Sequence, residues 1–405
     1  MNENVTSAMR PIGEITRWLS GGTPDRSNAS YWRGEIPWIS AFTLKTTEIS
    51  TSDQFITKDA VASGSKMAPL DSTLLLVRGS ALHKEIRAGL VVAPVAFNQD
   101  VKALIPTEAI VPKYLTFAIQ GNADQLLRLV TSAGNTAGVL DTKVVQDFEI
   151  HVPERREQQK IIAALNDADS FVMTLERLIT KKQSIMQGMM QQLLTGKTRL
   201  PGFTGQWKNH SLSDLAVIDP EGLPSGTNAG ELIDYISLED VSRGLLLKST
   251  RTTFRDAPSR ARRVIRSMDV LFGTVRPNLQ SHALYRGGLP RPIASTGFAV
   301  IRAIAERSDP KFLLGLIMSD LATAQIERII AGSNYPAVSS RDVRGLSFTV
   351  PDVQEQVAIG EALADFESEI GLLRVRLAKA RAVKLGMMQQ LLTGRAVLQP
   401  AEANA

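Results

Sequence analysis

The chain has 405 residues, 43% of them hydrophobic and 21% charged, with no cysteine and a formal charge of +5. This is enough apolar material for two or more cores, and the lack of cysteine excludes a disulfide framework and thiolate metal sites, which fits a reducing cytoplasm. The positive charge allows a polyanionic partner. Residues 1–10 lack the apolar core of a signal peptide, and no apolar run reaches the roughly 18 residues a membrane span needs, so a soluble cytoplasmic protein with no membrane contact is expected.

From the N-terminus the chain reads as short β-rich runs, Ile36 to Ile39, Thr73 to Val77, Leu90 to Val95 and Val101 to Ile105. Clusters of Gly, Pro, Asn and Asp, such as Gly21-Gly22-Thr23-Pro24, separate them. A helical segment from Lys113 to Leu129 interrupts this texture, and residues 1–151 are expected to form one α+β domain. After Pro153 the pattern changes. From about Glu154 to Thr195 there is no proline, and Ile161, Leu165, Ala168, Val172, Leu175, Ile179, Met186, Met189 and Leu193 advance in steps of four and three. This is the a/d seam of a heptad repeat, broken where Lys182 takes a seam position. Gly196 and Pro201-Gly202 end the helix, so residues 152–200 form a central helical segment.

Residues 201–349 return to the β-rich texture, with a helical segment from Lys311 to Ile330. A second seam occupies residues 350–398 through Ile359, Leu363, Phe366, Ile370, Leu373, Leu377, Ala380, Met387 and Leu391, with Lys384 as its polar interruption. Residues 399–405 are expected to be a disordered tail.

The segment Gly188-Met-Met-Gln-Gln-Leu-Leu-Thr-Gly196 recurs letter for letter from Gly386 to Gly394. The same offset of 198 matches Val152-Pro153 with Val350-Pro351 and Glu157-Gln158 with Glu355-Gln356. It also matches Asp71 and Val77-Arg78 with Asp269 and Val275-Arg276. A period this long exceeds any solenoid repeat and describes two domain-sized modules in tandem. Neither heptad stripe can be hidden by one helix alone, so the two helices are expected to pack together. The expected fold is α+β: two globular domains separated by two long helices that pair as an antiparallel coiled coil, with pseudo-two-fold symmetry.

Catalytic motifs are missing. Leu-Leu-Thr-Gly196-Lys197-Thr198 is no phosphate-binding loop, because Gln191 stands where the pattern requires glycine and the copy reads Gly394-Arg395-Ala396. The chain has no Asn/Asp-Pro-Pro-aromatic tetrapeptide and no G-x-S-x-G elbow. Its four histidines, His83, His151, His210 and His282, show no metal-binding spacing. No active site and no metal are expected. Between Arg251 and Arg266 lie Arg251, Arg255, Arg260, Arg262, Arg263 and Arg266, with only Asp256 opposing them locally. Such a run either holds phosphates or forms a solvated face.

Two globular domains, each followed by a copied helix that opens Val-Pro-x-x-x-Glu-Gln and closes Met-Gln-Gln-Leu-Leu-Thr-Gly, resemble the specificity subunit of type I restriction-modification enzymes. In the first domain the resemblance extends to Gly21-Gly22-Thr23-Pro24, Tyr31-Trp32-x-Gly34-x-Ile36-Pro37-Trp38-Ile39-Ser40 and Phe97-Asn98-Gln99-Asp100. In the second it extends to Asp269-Val-Leu-Phe-Gly-Thr-Val-Arg276-Pro-Asn278-Leu and Ser295-Thr296-Gly297-Phe298. The second domain departs at its opening, Asp219-Pro220-Glu221-Gly222.

The resemblance implies a non-catalytic subunit that binds no cofactor itself. Each globular region would be a target recognition domain reading one half of a split site in double-stranded DNA. Two methyltransferase subunits would bring S-adenosylmethionine, and restriction subunits would bring ATP with Mg. Candidate DNA-binding residues are Arg78, Ser80, His83 and Lys84 in the first domain and Arg276, Asn278, Gln280 and His282 in the second, whose side chains can hydrogen-bond base edges. Arg260, Arg262 and Arg263 are candidates for phosphates. Alternatively, Arg78 and Arg276 are structural partners of Asp71 and Asp269. A rival reading of the whole chain is a regulatory or chromosome-organising DNA-binding protein that dimerises through the coiled coil; a second is a protein-interaction scaffold.

Overall fold

The computed structural model describes residues 8–133, 137–224, 226–330 and 336–396. The expected tail at 399–405 lies outside them. The chain divides into two compact units, one holding the residues up to Glu176 and those from Arg376 onward, the other Arg177–Val375. Both boundaries fall inside the two long helices, the central one Arg155–Leu193 and the distal one Val353–Leu391. Each unit therefore contains a globular domain, the start of the helix that follows it and the end of the other helix.

In the first unit a five-stranded sheet runs in the order Thr16–Ser20, Val101–Pro106, Thr73–Leu76, Ala88–Val91, Glu48–Ile49. Its central strand, Thr73–Leu76, is buried along its whole length, as an uninterrupted apolar run demands. Helix Pro112–Gly121 packs on the sheet, where the hydroxyls of Thr73 and Thr116 hydrogen-bond at 2.8 Å. A second sheet holds the parallel pair Ile36–Ile39 and Ala96–Phe97. The helix expected from Lys113 to Leu129 is two helices, because the chain turns at Asn122, whose side-chain amide donates to the carbonyl of Ala118.

The second unit repeats this plan with fewer strands. One sheet has the order Ala216–Ile218, Phe298–Ala303, Val270–Gly273, His282–Leu284; the other contains the parallel pair Leu232–Ile236 and Pro292–Ser295. Asp309 caps helix Pro310–Met318 by accepting from the Phe312 amide at 2.8 Å. Here too the expected single helix is broken, at Ser319, and resumes as Asp320–Ile330.

Each long helix has 39 residues, about 58 Å at the α-helical rise. Their seams are the ones the heptads predict. Ile161, Leu165, Leu175, Ile179, Ile359, Leu363, Ile370 and Leu373 are buried, and Val172 and Leu377 are half-buried. In the first unit Asp169 pairs with Lys384 and Glu176 with Arg381; in the second Lys182 pairs with Glu369 at 2.7 Å. In the first unit partner numbers fall as the others rise, and in the second Lys182 meets Glu369 while Leu193 shares a core with Ile359, so the helices run antiparallel within each unit. Both lysines that interrupt a seam thus find a carboxylate on the facing helix, a polar pairing of the kind that fixes register. The apolar stripes are used up within the chain, which removes the interface that dimerisation through them would need.

The exact repeat has a physical reason. Leu193 and Leu194 at the end of the central helix enter the core of the second unit beside Leu313, Leu316, Ile359 and Leu363. Leu391 and Leu392 at the end of the distal helix enter the core of the first beside Leu115, Ala118, Ile161 and Leu165. Each buried leucine contributes roughly 1.5–3 kcal/mol. Gly196 and Gly394, both at φ +69, then end their helices in the left-handed conformation.

The Glu-Gln motif is a clip. Gln158 accepts from the Val111 amide at 2.8 Å and donates to the carbonyls of Ala109 and Pro153. Gln356 makes the corresponding three bonds to Asp309, Arg307 and Pro351. Each glutamine ties the start of its long helix to the loop before the domain's main helix.

The offset of 198 does not hold throughout. Ala8 faces Val152 where Lys208 faces Val350, an offset of 200 for the opening strands. Leu76 faces Val101 where Gly273 faces Phe298, an offset of 197 for the central strands. The counterpart of Asp71 is therefore Met268, and both have positive φ, +62 and +72. Arg78, opposite Val139, corresponds to Val275, opposite Ala337. The match of Asp71 and Arg78 with Asp269 and Arg276 is a coincidence of letters, one residue out of structural register.

Candidate nucleic-acid interface

In the first domain the buried strand Thr73–Leu76 leads through Val77 into the short strand Arg78–Gly79, which pairs with Ala137–Val139. Gly79 at φ +149 makes the corner, and a 3-10 turn, Ser80–His83, follows. Leu82 is fully buried and pins this turn, with Gly138 packed so closely that a Cβ there would lie 2.8 Å from that of Leu82. Arg78, Ser80, His83 and Lys84 are all exposed. The result is a set of hydrogen-bonding side chains facing solvent from a fixed backbone, a preorganised arrangement for a polar ligand.

Beside this loop lies the turn from Ser40 to Leu44. Arg87 donates to the carbonyl of Ala41 at 2.8 Å while paired with Glu85 at 2.6 Å, and a Cβ on Gly79 would lie 3.3 Å from that of Ala41. The Ser40 amide donates to Thr43 Oγ1 at 2.8 Å, closing the turn. Phe42 at its tip is 69% exposed, with the Lys45 ammonium 4.2 Å from its ring centre. Sequence reasoning missed these two residues; the available signal was an aromatic residue in a polar turn directly after a strand.

In the second domain Arg276 and Gln280, at φ +49 and +53, bracket the 3-10 turn Pro277–Leu279. Two non-glycine residues in the left-handed region each cost on the order of 1 kcal/mol, so the surrounding structure imposes this shape. Arg276 and Asn278 are exposed, Gln280 is half-buried, and the Gln280 carbonyl accepts from the Arg243 amide at 3.0 Å. Among the described residues neither Arg78 nor Arg276 forms an ion pair, which removes their assignment to Asp71 and Asp269. Asp269 is instead gripped by two of the three nitrogens of Arg302, Nε and Nη2, at 2.8 and 2.7 Å.

His282 does not belong to this surface. It lies inside strand His282–Leu284 at 1% exposure, stacked on Phe272 with ring centres 4.4 Å apart, and its Nδ1 accepts from the Gly273 amide at 3.1 Å. Burial pushes its pKa down to about 4, so it is a neutral core residue. Its counterpart in the first domain is the buried Ala88, each facing the equivalent residue of the central strand.

The arginine run is also reassigned. Arg263 pairs with Asp219 at 2.9 Å, Arg266 with Glu221 at 2.7 Å and Arg251 with Asp234 at 3.2 Å. Arg262 lies over the Phe254 ring and donates to the carbonyl of Ala261. Of the three phosphate candidates only Arg260 is exposed. The opposing carboxylates come from segments about 20 to 45 residues earlier in the chain, which is why a local charge count found only Asp256. Hydrogen bonds from Arg302, and then Arg266, hold Glu221 below the usual carboxylate range despite its partial desolvation.

Comparison with known proteins places this architecture. The family described as the type I restriction modification DNA specificity domain matches residues 4–187. The EcoR124I/EcoR124II specificity subunit of Escherichia coli is 33% identical over 180 residues, covering 44% of this chain and 45% of that protein. The MjaIX specificity subunit of Methanocaldococcus jannaschii is 29% identical over 238 residues, covering 58% and 52%. The chain thus spans about half the length of these curated relatives. The crystal structure of the type I restriction-modification S subunit from M. genitalium superposes with a TM-score of 0.59 at 14% identity, over 97% of both chains. A structure from a study of complex assembly and conformational transition in the type I R-M system gives 0.58 at 16% identity, over 98% of this chain and all of that one. At such identities these two matches establish the fold alone. Residues 4–187 are thus similar in sequence to the type I restriction modification DNA specificity domain, and the fold of the chain is that of the solved S subunit.

Proposed function

We propose that this chain is the DNA address of a type I restriction-modification complex, each domain reading one half of a split site in double-stranded DNA. The observation that carries this reading is the pair of fixed polar loops, Arg78 to Lys84 and Arg276 to Gln280. Both follow the central strand of their domain, yet they present different side chains. Two readers of one build with different contents suit a target whose halves differ in sequence. Methyltransferase subunits, two per chain, would supply S-adenosylmethionine and the methyl transfer, and restriction subunits would supply ATP and Mg chemistry. The chain itself positions them.

The test is co-expression with the cognate methyltransferase followed by genome-wide mapping of methylated adenine. A bipartite motif methylated only when this chain is present, in an assembly of one copy with two methyltransferase subunits, is the expected result. Replacing residues 1–151 with the equivalent domain of another family member should exchange one half-site and leave the other intact. Methyl transfer by the isolated chain, or simultaneous change of both half-sites, would overturn the reading.

A further inference from the structure

The strand register brings together two residues that a simple offset does not. Ile39 faces Phe97 across the parallel pair of the first domain, and Ile236 faces Ala294 across that of the second. Counting on from these partners, Phe42 and Glu239 occupy the same place, in the turn that leaves the parallel strand. In the first domain this turn is braced against the polar loop that follows the central strand, and in the second against the end of the central strand itself. Ala41 abuts Gly79 in the first, and in the second Leu238 comes so close to Gly273 that a Cβ there would lie 3.2 Å from Leu238 Cδ2. In both domains a side chain closes the turn: Ser40 with Thr43 in one, and a capping box of Ser237 with Asp240 in the other.

The two tips are chemically opposite. Phe42 is a large apolar ring, mostly exposed, with Lys45 against it and the exposed cations Arg78 and Lys84 on the adjoining loop. Glu239 is an exposed carboxylate that forms no ion pair among the described residues, although the exposed Arg243 follows four residues later. An exposed phenylalanine gains nothing from water, and a carboxylate facing a polyanion is repelled unless it accepts a hydrogen bond from a base. The groove of DNA offers each a partner: the 5-methyl group of thymine for an apolar side chain and the N4 amino group of cytosine for a carboxylate.

We propose that position 42/239 is a base-reading position common to both domains, with Phe42 contacting a thymine methyl in one half-site and Glu239 accepting from a cytosine amino group in the other. The proposal rests on the chain being a DNA reader. It adds to that reading the positions and the bases.

The experiment uses the assembled methyltransferase complex and the duplex carrying its mapped motif. Replacing thymines of the first domain's half-site one at a time by uracil removes only the methyl group. At one position this should lower the methylation rate about tenfold, and with Phe42→Ala the same replacement should have no further effect. Phe42→Ala should relax that position alone. Glu239→Gln should relax one C·G pair of the other half-site, leaving the first untouched. Uracil tolerated at every position by the unaltered complex, a half-site without thymine, or a Phe42→Ala loss equal on all sequences together with weaker subunit assembly would overturn the proposal; the last outcome would make Phe42 a protein contact. Failure of the unaltered complex to methylate any bipartite motif would instead overturn the underlying function. Because Phe42 is exposed and the uracil arm uses the native protein, impaired folding cannot decide the result.

Discussion

In the first domain the opening segment Gly21 to Pro24 runs beneath the strand that ends at Phe97, while in the second the corresponding Asp219 to Gly222 reaches its neighbours through charge. A Cβ at Gly21 would lie 2.3 Å from the Phe97 carbonyl oxygen, the Gly22 amide donates to that oxygen at 2.9 Å, and Thr23 donates to Gln99 at 2.5 Å. Glycine is required there because the backbones touch. At the position of Gly21 the second domain has Glu221, which gathers Arg266 and Arg302, and two residues earlier Asp219 binds Arg263 and Ser340. The paired glycines of the first domain and the arginine run of the second are thus two solutions to the same packing problem. An arginine cluster becomes a nucleic-acid signal only for those members that no carboxylate of the fold has claimed.

If the domains differ in their openings and agree in their clips, removing the clips should affect both alike. Gln158→Leu and Gln356→Leu each delete three hydrogen bonds of a glutamine that is 1% exposed, stranding one amide and two carbonyls. Each should cost about 2–4 kcal/mol, measured by urea unfolding of the full chain. Hydrogen exchange should place each loss in its own unit. Clearly unequal losses would break the equivalence of the two helix starts.

A second test should separate the domains. His282 is neutral in the folded chain with its pKa near 4, whereas unfolded histidine titrates near 6.5. Between these values the unfolded state binds the extra proton, so stability is full above about pH 6.5 and declines as pH falls toward 4, by roughly 3 kcal/mol at most. The first domain has Ala88 at this place and lacks this contribution. His282→Asn, which keeps an acceptor for the Gly273 amide, should remove that acid sensitivity from the second unit and leave the methylated motif unchanged. A changed motif would return His282 to the reading surface.

Much of this molecule could be read from its residues, and the failures share one cause. The seams and the helix end at Gly196 follow from periodicity and local turn chemistry, which act over a few residues, and the antiparallel pairing follows from the symmetry of the repeat. Strand register depends on partners far away in sequence. That is why a single offset matches Arg78 with Arg276 one residue out of step and sets His282 on the surface when its strand buries it. It is also why Arg263 looks free in the sequence although Asp219 holds it. Phe42 and Glu239 were invisible for the same reason, since only the pairing of Ile39 with Phe97 and of Ile236 with Ala294 sets them equal.

The finest distinction lies within the arginine run itself, between Arg260 and Arg263. Arg260 is exposed and forms no ion pair among the described residues, whereas Arg263 is a quarter exposed with its guanidinium on Asp219. A free cation that meets a phosphate releases a counterion, and its loss lowers the slope of log affinity against log salt by about one. A cation already neutralised by a carboxylate releases almost none. Arg260→Ala should therefore weaken DNA binding by the assembled complex similarly on target and non-target duplexes and flatten the salt dependence by about one unit. Arg263→Ala should leave the slope as it was and lower the thermal stability of the second unit, because it strands the Asp219 carboxylate beside Val300 and Ser340. Equal slopes for Arg260→Ala and the unaltered chain would assign Arg260 to a solvated face, and a flattened slope for Arg263→Ala would mean that DNA breaks the Asp219 pair on binding.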